Sequence, residues 1–299
     1  MSGSPPVLVR VRTTGALVAE RVFGEDSLRL LYGPPAGRLL ERLLVSRPLF
    51  SRLYGLPKRL SRSRRDIPRF VASLSIDPAE AELPLDAYHS LDDFFTRRLA
   101  PGVRPIDRDP ASLVSPGDGR LLVLRLESDG ALTIKGCRIS LPELLGDPVA
   151  ARRYQGGTAF LLRLAPADYH RFHFPDDGVA GPSLTLPGPL HSVHPIARAA
   201  GAPSLRNQRH VTSLASAAFG RVALVEVGAL AVGTIIQTFV PGPVGRGQEK
   251  GYFRFGGSTI VVLGEPGRIV PDPDLVAASA AGLETLVAVG TRIGRSGPG

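Results

Sequence analysis

The chain has 299 residues, of which 43% are hydrophobic and 21% charged, with 34 glycines, 28 prolines and a formal charge of +9. This balance excludes a disordered chain and a mostly helical bundle, and no run of 18 apolar residues is present to form a membrane-spanning helix. The lone Cys137 excludes an intrachain disulfide and a Cys-x-x-Cys metal site.

The N-terminal MSGSPPVLVRVR lacks an apolar stretch followed by a small-residue cleavage site, so no secretory signal is expected, and the single cysteine fits a reducing, cytoplasmic setting. From Arg38 to Arg69 the basic residues Arg38, Arg42, Arg47, Arg52, Lys58, Arg59, Arg62, Arg64, Arg65 and Arg69 face only Glu41 and Asp66. Leu39, Leu40, Leu43 and Leu44 fall on one helical face, Pro48 interrupts, and Phe50, Leu53, Tyr54 and Leu56 follow. Two readings fit this spacing. One is short amphipathic helices lying on an anionic bilayer, with arginine reaching lipid phosphates; the other is solvated helices docked on their own domain. Asp66 is expected to cap a helix with Pro68 in its first turn, and Ser90 with Asp93 forms a capping-box pattern ahead of Leu91, Phe94, Phe95 and Leu99.

After Pro101 the texture changes. Apolar runs at 121–126, 131–135, 158–164, 221–227 and 234–239 have strand lengths, with glycine and proline between them. Ser140 and Glu143 mark a short helix among these strands. The stretch from Pro271 is alanine-rich and ends in a Gly/Ser/Pro tail expected to fray. Helices first and strands after predict an α+β fold of short, mostly antiparallel strands, with residues 1–100 as a helical, membrane-associating region and 101–299 as a β-rich catalytic domain.

Four clusters carry possible chemistry. In SPGDG (115–119), Asp118 sits between two glycines, a common turn when taken alone. In LAPADYHRFHFPDDG (164–178), His170 and His173 share a face if helical and point to opposite faces if extended. A general base is a better reading of them than a metal site, because the HExxH spacing and glutamate are missing. Phe172 and Phe174 fit either a pocket mouth or the core. The long polar stretch 189–211 holds His191, His194, Asn207, Arg209 and His210 and has the character of a binding loop. In KGYFRFGGST (250–259), Ser258 follows two glycines but leads into a strand, which disfavours a nucleophile elbow. A serine there can instead attack the carbonyl of the residue before it, and glycine minimises the steric cost.

These clusters, together with ERVFGEDSLRLLYGPPAGRLL (20–40), FSRLYG (50–55), FFTRRLAPGVRPID (94–107), KGCRISLPELLG (135–146) and RNQRHV (206–211), resemble the phosphatidylserine decarboxylase family over about residues 7 to 266. The resemblance implies a proenzyme. Ser258 attacks the Gly257 carbonyl, the resulting ester is cut by β-elimination, and a β chain (1–257) and an α chain (258–299) result. Ser258 becomes a covalent pyruvoyl cofactor that forms a Schiff base with the amine of phosphatidylserine, giving phosphatidylethanolamine and CO2. By family match, Asp118, His173 and Ser258 form the self-cleavage triad, and His170 is the candidate proton donor or substrate-positioning residue. The family also implies a peripheral protein on the cytoplasmic side of the cell membrane, commonly dimeric, with no metal. Two positions depart from the family pattern: Gly117, often alanine or valine, and Gln208, usually glutamate.

The competing readings are a pyruvoyl decarboxylase for another amino-carboxylate and a membrane-binding homologue that never processes itself. A nucleic-acid binder is disfavoured, because the arginines alternate with leucine rather than stacking aromatics.

Overall fold

The computed structural model describes residues 7–20, 25–134, 137–230, 234–256 and 258–298, with backbone alone at 25, 26, 42, 48 and 52. Its frame is a sheet in the order Gly242–Val244, Gly178–Ala180, Arg209–Ser216, Gly220–Gly228, Ser258–Gly264, Thr158–Leu164, Gly119–Arg125, Glu284–Val287, Leu8–Val11 and Leu17–Ala19. Leu184–Leu186 also pairs with Arg209–Ser216. All these pairings are antiparallel except that of Leu8–Val11 with Glu284–Val287.

The strand Ser258–Gly264 is buried along its whole length. Ile260 and Val262 pack into one hydrophobic cluster with Leu162, Phe172 and Phe174, whereas Val261 and Leu263 pack into another with Leu161 and Val225. Coverage of both faces explains why 259–263 reads as continuous β-branched and aliphatic residues rather than alternating ones. Each fully buried Leu, Ile, Val or Phe contributes about 1.5–3 kcal/mol, so this strand anchors the domain.

A helical layer covers one end. Pro35–Leu40 runs into a π-helical turn, Glu41–Val45, and Pro48 then opens the helix Pro48–Arg59 at its first position. Ile67–Leu74 and Leu91–Phe95 bury Ile67, Phe70, Leu74, Leu91, Phe94 and Phe95 in a third cluster, which also takes in Phe255. The aromatic contacts are close: Phe95 lies 4.9 Å from Phe255 and Phe70 5.9 Å from it, centroid to centroid. The helical layer therefore docks on the chain just before Ser258.

Several expectations hold. The α+β class is observed, and Ser90 and Ser140 cap their helices by accepting from the Asp93 and Glu143 N–H groups. Others need correction. Asp66 makes no side-chain cap, because the 3-10 turn Ser61–Asp66 leads straight into Ile67–Leu74 with helical backbone. Residues 8–19 form two strands at the edge of the main sheet rather than leading directly into helices. The tail does not fray through Ser296: Arg292–Ser296 pairs with Ile269–Pro271 and Ser112–Val114. Phe172 and Phe174 are core residues, 1% and 0% exposed, not a pocket mouth.

Candidate active site

The register of the sheet places the candidate residues. Ser258 lies opposite Leu164 on one side and Gly228 on the other. Arg120 and Arg163 pair one step along, so Gly119 falls on nearly the same line as Leu164 and Ser258, two strands from Ser258. Two strand spacings separate these backbones by roughly 9.5 Å. Asp118 and Ser258 thus flank the end of Thr158–Leu164 without touching.

His173 belongs to the strand Arg171–His173, which pairs with Glu249–Phe253. Its N–H donates to the Pro116 carbonyl at 2.8 Å, tying the strand to the 115–119 turn that carries Asp118. That turn is tight. A Cβ at Gly117 would meet Ile260 Cδ1 at 3.3 Å and Leu162 Cδ2 at 3.4 Å, so glycine lets the turn sit flat on the Ser258 strand. The 115–119 turn is the common neighbour of His173 and of the strand that begins with Ser258.

The hydrogen bonds are more specific than the sequence pattern. His173 Nδ1 lies 3.0 Å from the Gly247 carbonyl, and Nε2 lies 3.2 Å from the Tyr169 hydroxyl. A carbonyl only accepts, so Nδ1 carries the proton and Nε2 is the basic nitrogen. Burial lowers the pKa of His173, against the opposing pull of Gly247, Glu249 and Asp118, which favours the neutral ring. Asp118 does not fix this tautomer. Its carboxylate instead accepts from Arg104 Nη2 at 2.8 Å and Nε at 3.1 Å, and from the Val289 N–H at 2.7 Å. Arg104 also bridges to Glu80, with Nη1 and Nη2 each 2.9 Å from a carboxylate oxygen. Among the described residues no hydrogen bond links Asp118, His173 and Ser258 to one another in the uncleaved chain.

His170 lies just before the strand Arg171–His173, where its carbonyl accepts from the Phe253 N–H. Its ring is tilted by 34° against Phe95, with the centroids 3.9 Å apart, and Nδ1 lies 2.8 Å from the Asp168 carbonyl. It is fully buried, and Nε2 makes no well-formed hydrogen bond among the described residues. Burial pushes its pKa down to about 3, the charge of Arg97 acts in the same direction, and the carbonyls of Asp168 and Gly256 oppose them. The ring is therefore neutral at physiological pH. Gly256 adopts φ +136°, a conformation that glycine reaches readily and other residues do not. Gly257 lies outside the described residues. Ser258 is 0% exposed and its Oγ has no hydrogen-bond partner among the described residues.

An open cleft of about 580 Å³ reaches this region from solvent, lined in part by Arg98, Arg104, Tyr169, His173, Gln248 and Glu249. His173 is among its lining residues, whereas Ser258 is buried and does not line it. Of the 189–211 cluster, Asn207 has a clear structural task. Its side chain bonds both the N–H and the carbonyl of His191 and also the Gly228 carbonyl, bracing the strand opposite Ser258. His191 bonds Glu41 at 2.7 Å, and His194 accepts from the Ile196 N–H at the start of a short helix. No group of three or more His, Cys, Asp or Glu suited to a metal occurs among the described residues.

Sequence reasoning missed Tyr169, Gly247 and Arg104 as partners of the site. Arg104 and Tyr169 lie inside quoted motifs, FFTRRLAPGVRPID and LAPADYHRFHFPDDG, but their partners are 14 and 4 residues away and only the fold brings them together.

Comparison with known proteins follows the same residues. The family model described as phosphatidylserine decarboxylase matches residues 91–295. A phosphatidylserine decarboxylase proenzyme of Desulfitobacterium hafniense (strain Y51) is 41% identical over 286 residues, covering 95% of this chain and 96% of that protein. The proenzyme of Chlamydia trachomatis serovar L2 is 43% identical over 287 residues, covering 95% of each chain. That of Chlamydia felis is 42% identical over 288 residues, covering 95% of this chain and 96% of the relative. A match of this extent, spanning the Asp118 turn, both histidines and the Gly-Gly-Ser segment, shows that the chain belongs to the phosphatidylserine decarboxylase family.

Proposed function

We propose that the chain is a self-cleaving proenzyme whose mature form is a carboxy-lyase converting phosphatidylserine to phosphatidylethanolamine and CO2. The observation that carries this reading is Ser258 itself. It is a fully buried hydroxyl without a partner among the described residues, placed directly after glycines at the head of a rigid strand. Buried hydroxyls are normally satisfied, so an orphaned one at a Gly-Ser junction fits a nucleophile held for a reaction. The same observation supports a pyruvoyl group formed from Ser258, because converting this hydroxyl removes no hydrogen bond from the fold. Such a group supplies an electron sink for the electrons left when CO2 departs.

In this reading His173 Nε2 takes the proton from Ser258 Oγ as that oxygen attacks the Gly257 carbonyl. The hydroxyl of Tyr169 first leaves Nε2. Asp118, clamped by Arg104, contributes a fixed negative charge beside His173 rather than a direct bond. His170 is assigned to the decarboxylation step, where its Nε2, unprotonated in the neutral ring, accepts a proton released by the substrate's ammonium group and returns it to the substrate carbon.

The docking face fits a lipid substrate. Leu39, Leu40, Leu43 and Leu44 are 48–59% exposed, and Leu49, Leu53 and Leu56 are similarly open, on helices rich in arginine. No helix among the described residues is long and apolar enough to cross a membrane. Within residues 1–100 we assign the exposed helical part to peripheral attachment on an anionic, cytoplasmic-side membrane surface, and we assign 101–299, with the buried helix Leu91–Phe95 docked on it, to catalysis, in a homodimer.

Intact mass under denaturing conditions, beside a Ser258→Ala control, tests the proposal. Two fragments split at 257/258 are expected from the wild type, the smaller lighter by one ammonia than a serine-started fragment. The control is expected to remain a single chain without decarboxylase activity. A single full-length mass in both samples, with no CO2 release from phosphatidylserine, would overturn it.

A further inference from the structure

Arg97 differs from the other buried arginines. It is 4% exposed, just past the helix Leu91–Phe95. Its guanidinium lies 4.8 Å from the Phe94 ring centroid, and Nη2 donates to the Ala167 carbonyl at 3.3 Å. Nε and Nη1 have no acceptor, and no carboxylate among the described residues lies within ion-pair distance. In three other buried arginines the demand is met, and Arg120 and Arg198 have carboxylates beside them. Arg163 pairs with Glu20 and Glu284, Arg246 with Asp176, and Arg209 is bonded by four backbone carbonyls. A buried guanidinium cannot shed its proton, and a face of an aromatic ring replaces only part of its lost hydration. An uncompensated buried charge is a cost that folds seldom carry without use.

Its position suggests that use. Phe95, on the same helix, packs against His170, and the 165–170 loop that Arg97 touches hangs from Leu164, the cross-strand neighbour of Ser258. Arg97 is thus near enough to His170 for its charge to act on that ring, and Arg97, His170 and Ser258 each have a buried polar atom without a partner among the described residues. The inference rests on the decarboxylase reading, under which the substrate carries two anions, a departing carboxylate and a phosphate that persists in the product. A guanidinium fork fits either oxyanion. Tight ground-state binding of the carboxylate would oppose its loss as neutral CO2, whereas binding the phosphate serves positioning without that penalty.

We propose that Arg97 is the anion-binding residue of the active site and holds the phosphodiester of the lipid headgroup.

The test compares wild type, Arg97→Met and Arg97→Lys. All three are expected to cleave themselves. In phosphatidylserine micelles, Arg97→Met should raise KM by about 10- to 100-fold, and the inhibition constant of phosphatidylethanolamine should rise by a similar factor. Arg97→Lys should recover part of both. In the Ser258→Ala proenzyme, Arg97→Met should raise the thermal midpoint, because it removes an unpaired buried charge; a purely structural arginine would lower it. A raised KM for phosphatidylserine with unchanged inhibition by phosphatidylethanolamine would place the carboxylate at Arg97 and overturn the phosphate assignment. An unchanged KM with a lowered midpoint would overturn the inference altogether. Wild type that releases no CO2 would count against the decarboxylase reading, and the midpoint comparison would still decide whether Arg97 is held at a cost to stability.

Discussion

The two faces of the strand Ser258–Gly264 treat polar groups in opposite ways. Beside Thr259, the register lines up Arg163 and Arg120, and the charges there are ion-paired. Arg163 Nη2 lies 2.5 Å from Glu284 and 2.7 Å from Glu20, Arg198 lies 2.5 Å from Glu284, and Arg120 Nε lies 2.8 Å from Glu20. On the other face, one residue away, Ser258 Oγ is unsatisfied among the described residues, and nearby His170 Nε2 makes no well-formed hydrogen bond there. One network holds the strands together; the other leaves donors and acceptors free for chemistry. The difference teaches that a fold can hold its reactive groups unsatisfied where an adjacent network of buried ion pairs keeps the backbone from relaxing onto them.

Removing a free group should spare the fold and damage the reaction. His170→Ala is expected to cleave itself normally yet lose about 10²–10⁴-fold in CO2 release, the usual range for a proton-transfer residue. Fragment mass and CO2 release, measured on the same sample, check this; loss of cleavage would move His170 into processing.

Removing an ion-paired group should do the reverse. Glu284→Gln leaves Arg163 and Arg198 buried without their shared carboxylate and should cost about 3–5 kcal/mol, read by denaturant unfolding in the Ser258→Ala background. Retained stability would show that Glu20 alone neutralises the cluster.

The same pair predicts a pH dependence. Burial alone would raise the pKa of Glu284, but Arg163 and Arg198 outweigh it and hold the carboxyl at about 2, against 4.5 in a free side chain. A depressed acid stabilises the fold above its unfolded pKa, so this contribution is complete above pH 4.5 and is lost as pH falls towards 2. At full extent the difference corresponds to about 3 kcal/mol, and Glu284→Gln should lack this part of the acid sensitivity.

The smallest expected effect concerns Tyr169. Its hydroxyl occupies the basic nitrogen of His173 at 3.2 Å, so Tyr169→Phe should free that nitrogen. A net hydrogen bond of about 1 kcal/mol corresponds to roughly fivefold faster self-cleavage, followed by the rate at which the small fragment appears. Slower cleavage would instead make Tyr169 part of the proton path.

Much of this molecule is legible in its sequence. The strands at 158–164 and 220–228, the serine caps at Ser90 and Ser140 and the Gly-Gly-Ser junction are local matters, settled by periodicity and turn chemistry within a few residues. The motifs also marked Asp118, both histidines and Ser258 as residues to watch. Other features depended on partners far along the chain. Residues 8–11 become a strand because Glu284–Val287 offers them an edge, and residues 292–296 are ordered because 112–114 and 269–271 flank them. Arg104 takes Asp118, the Gly247 carbonyl sets the tautomer of His173, and Arg97 is left with no counter-ion. Local sequence dictates which conformations and side chains are available. Tertiary structure decides which polar groups are paired and which stay free, because burial and hydrogen-bond geometry are properties of the assembled core.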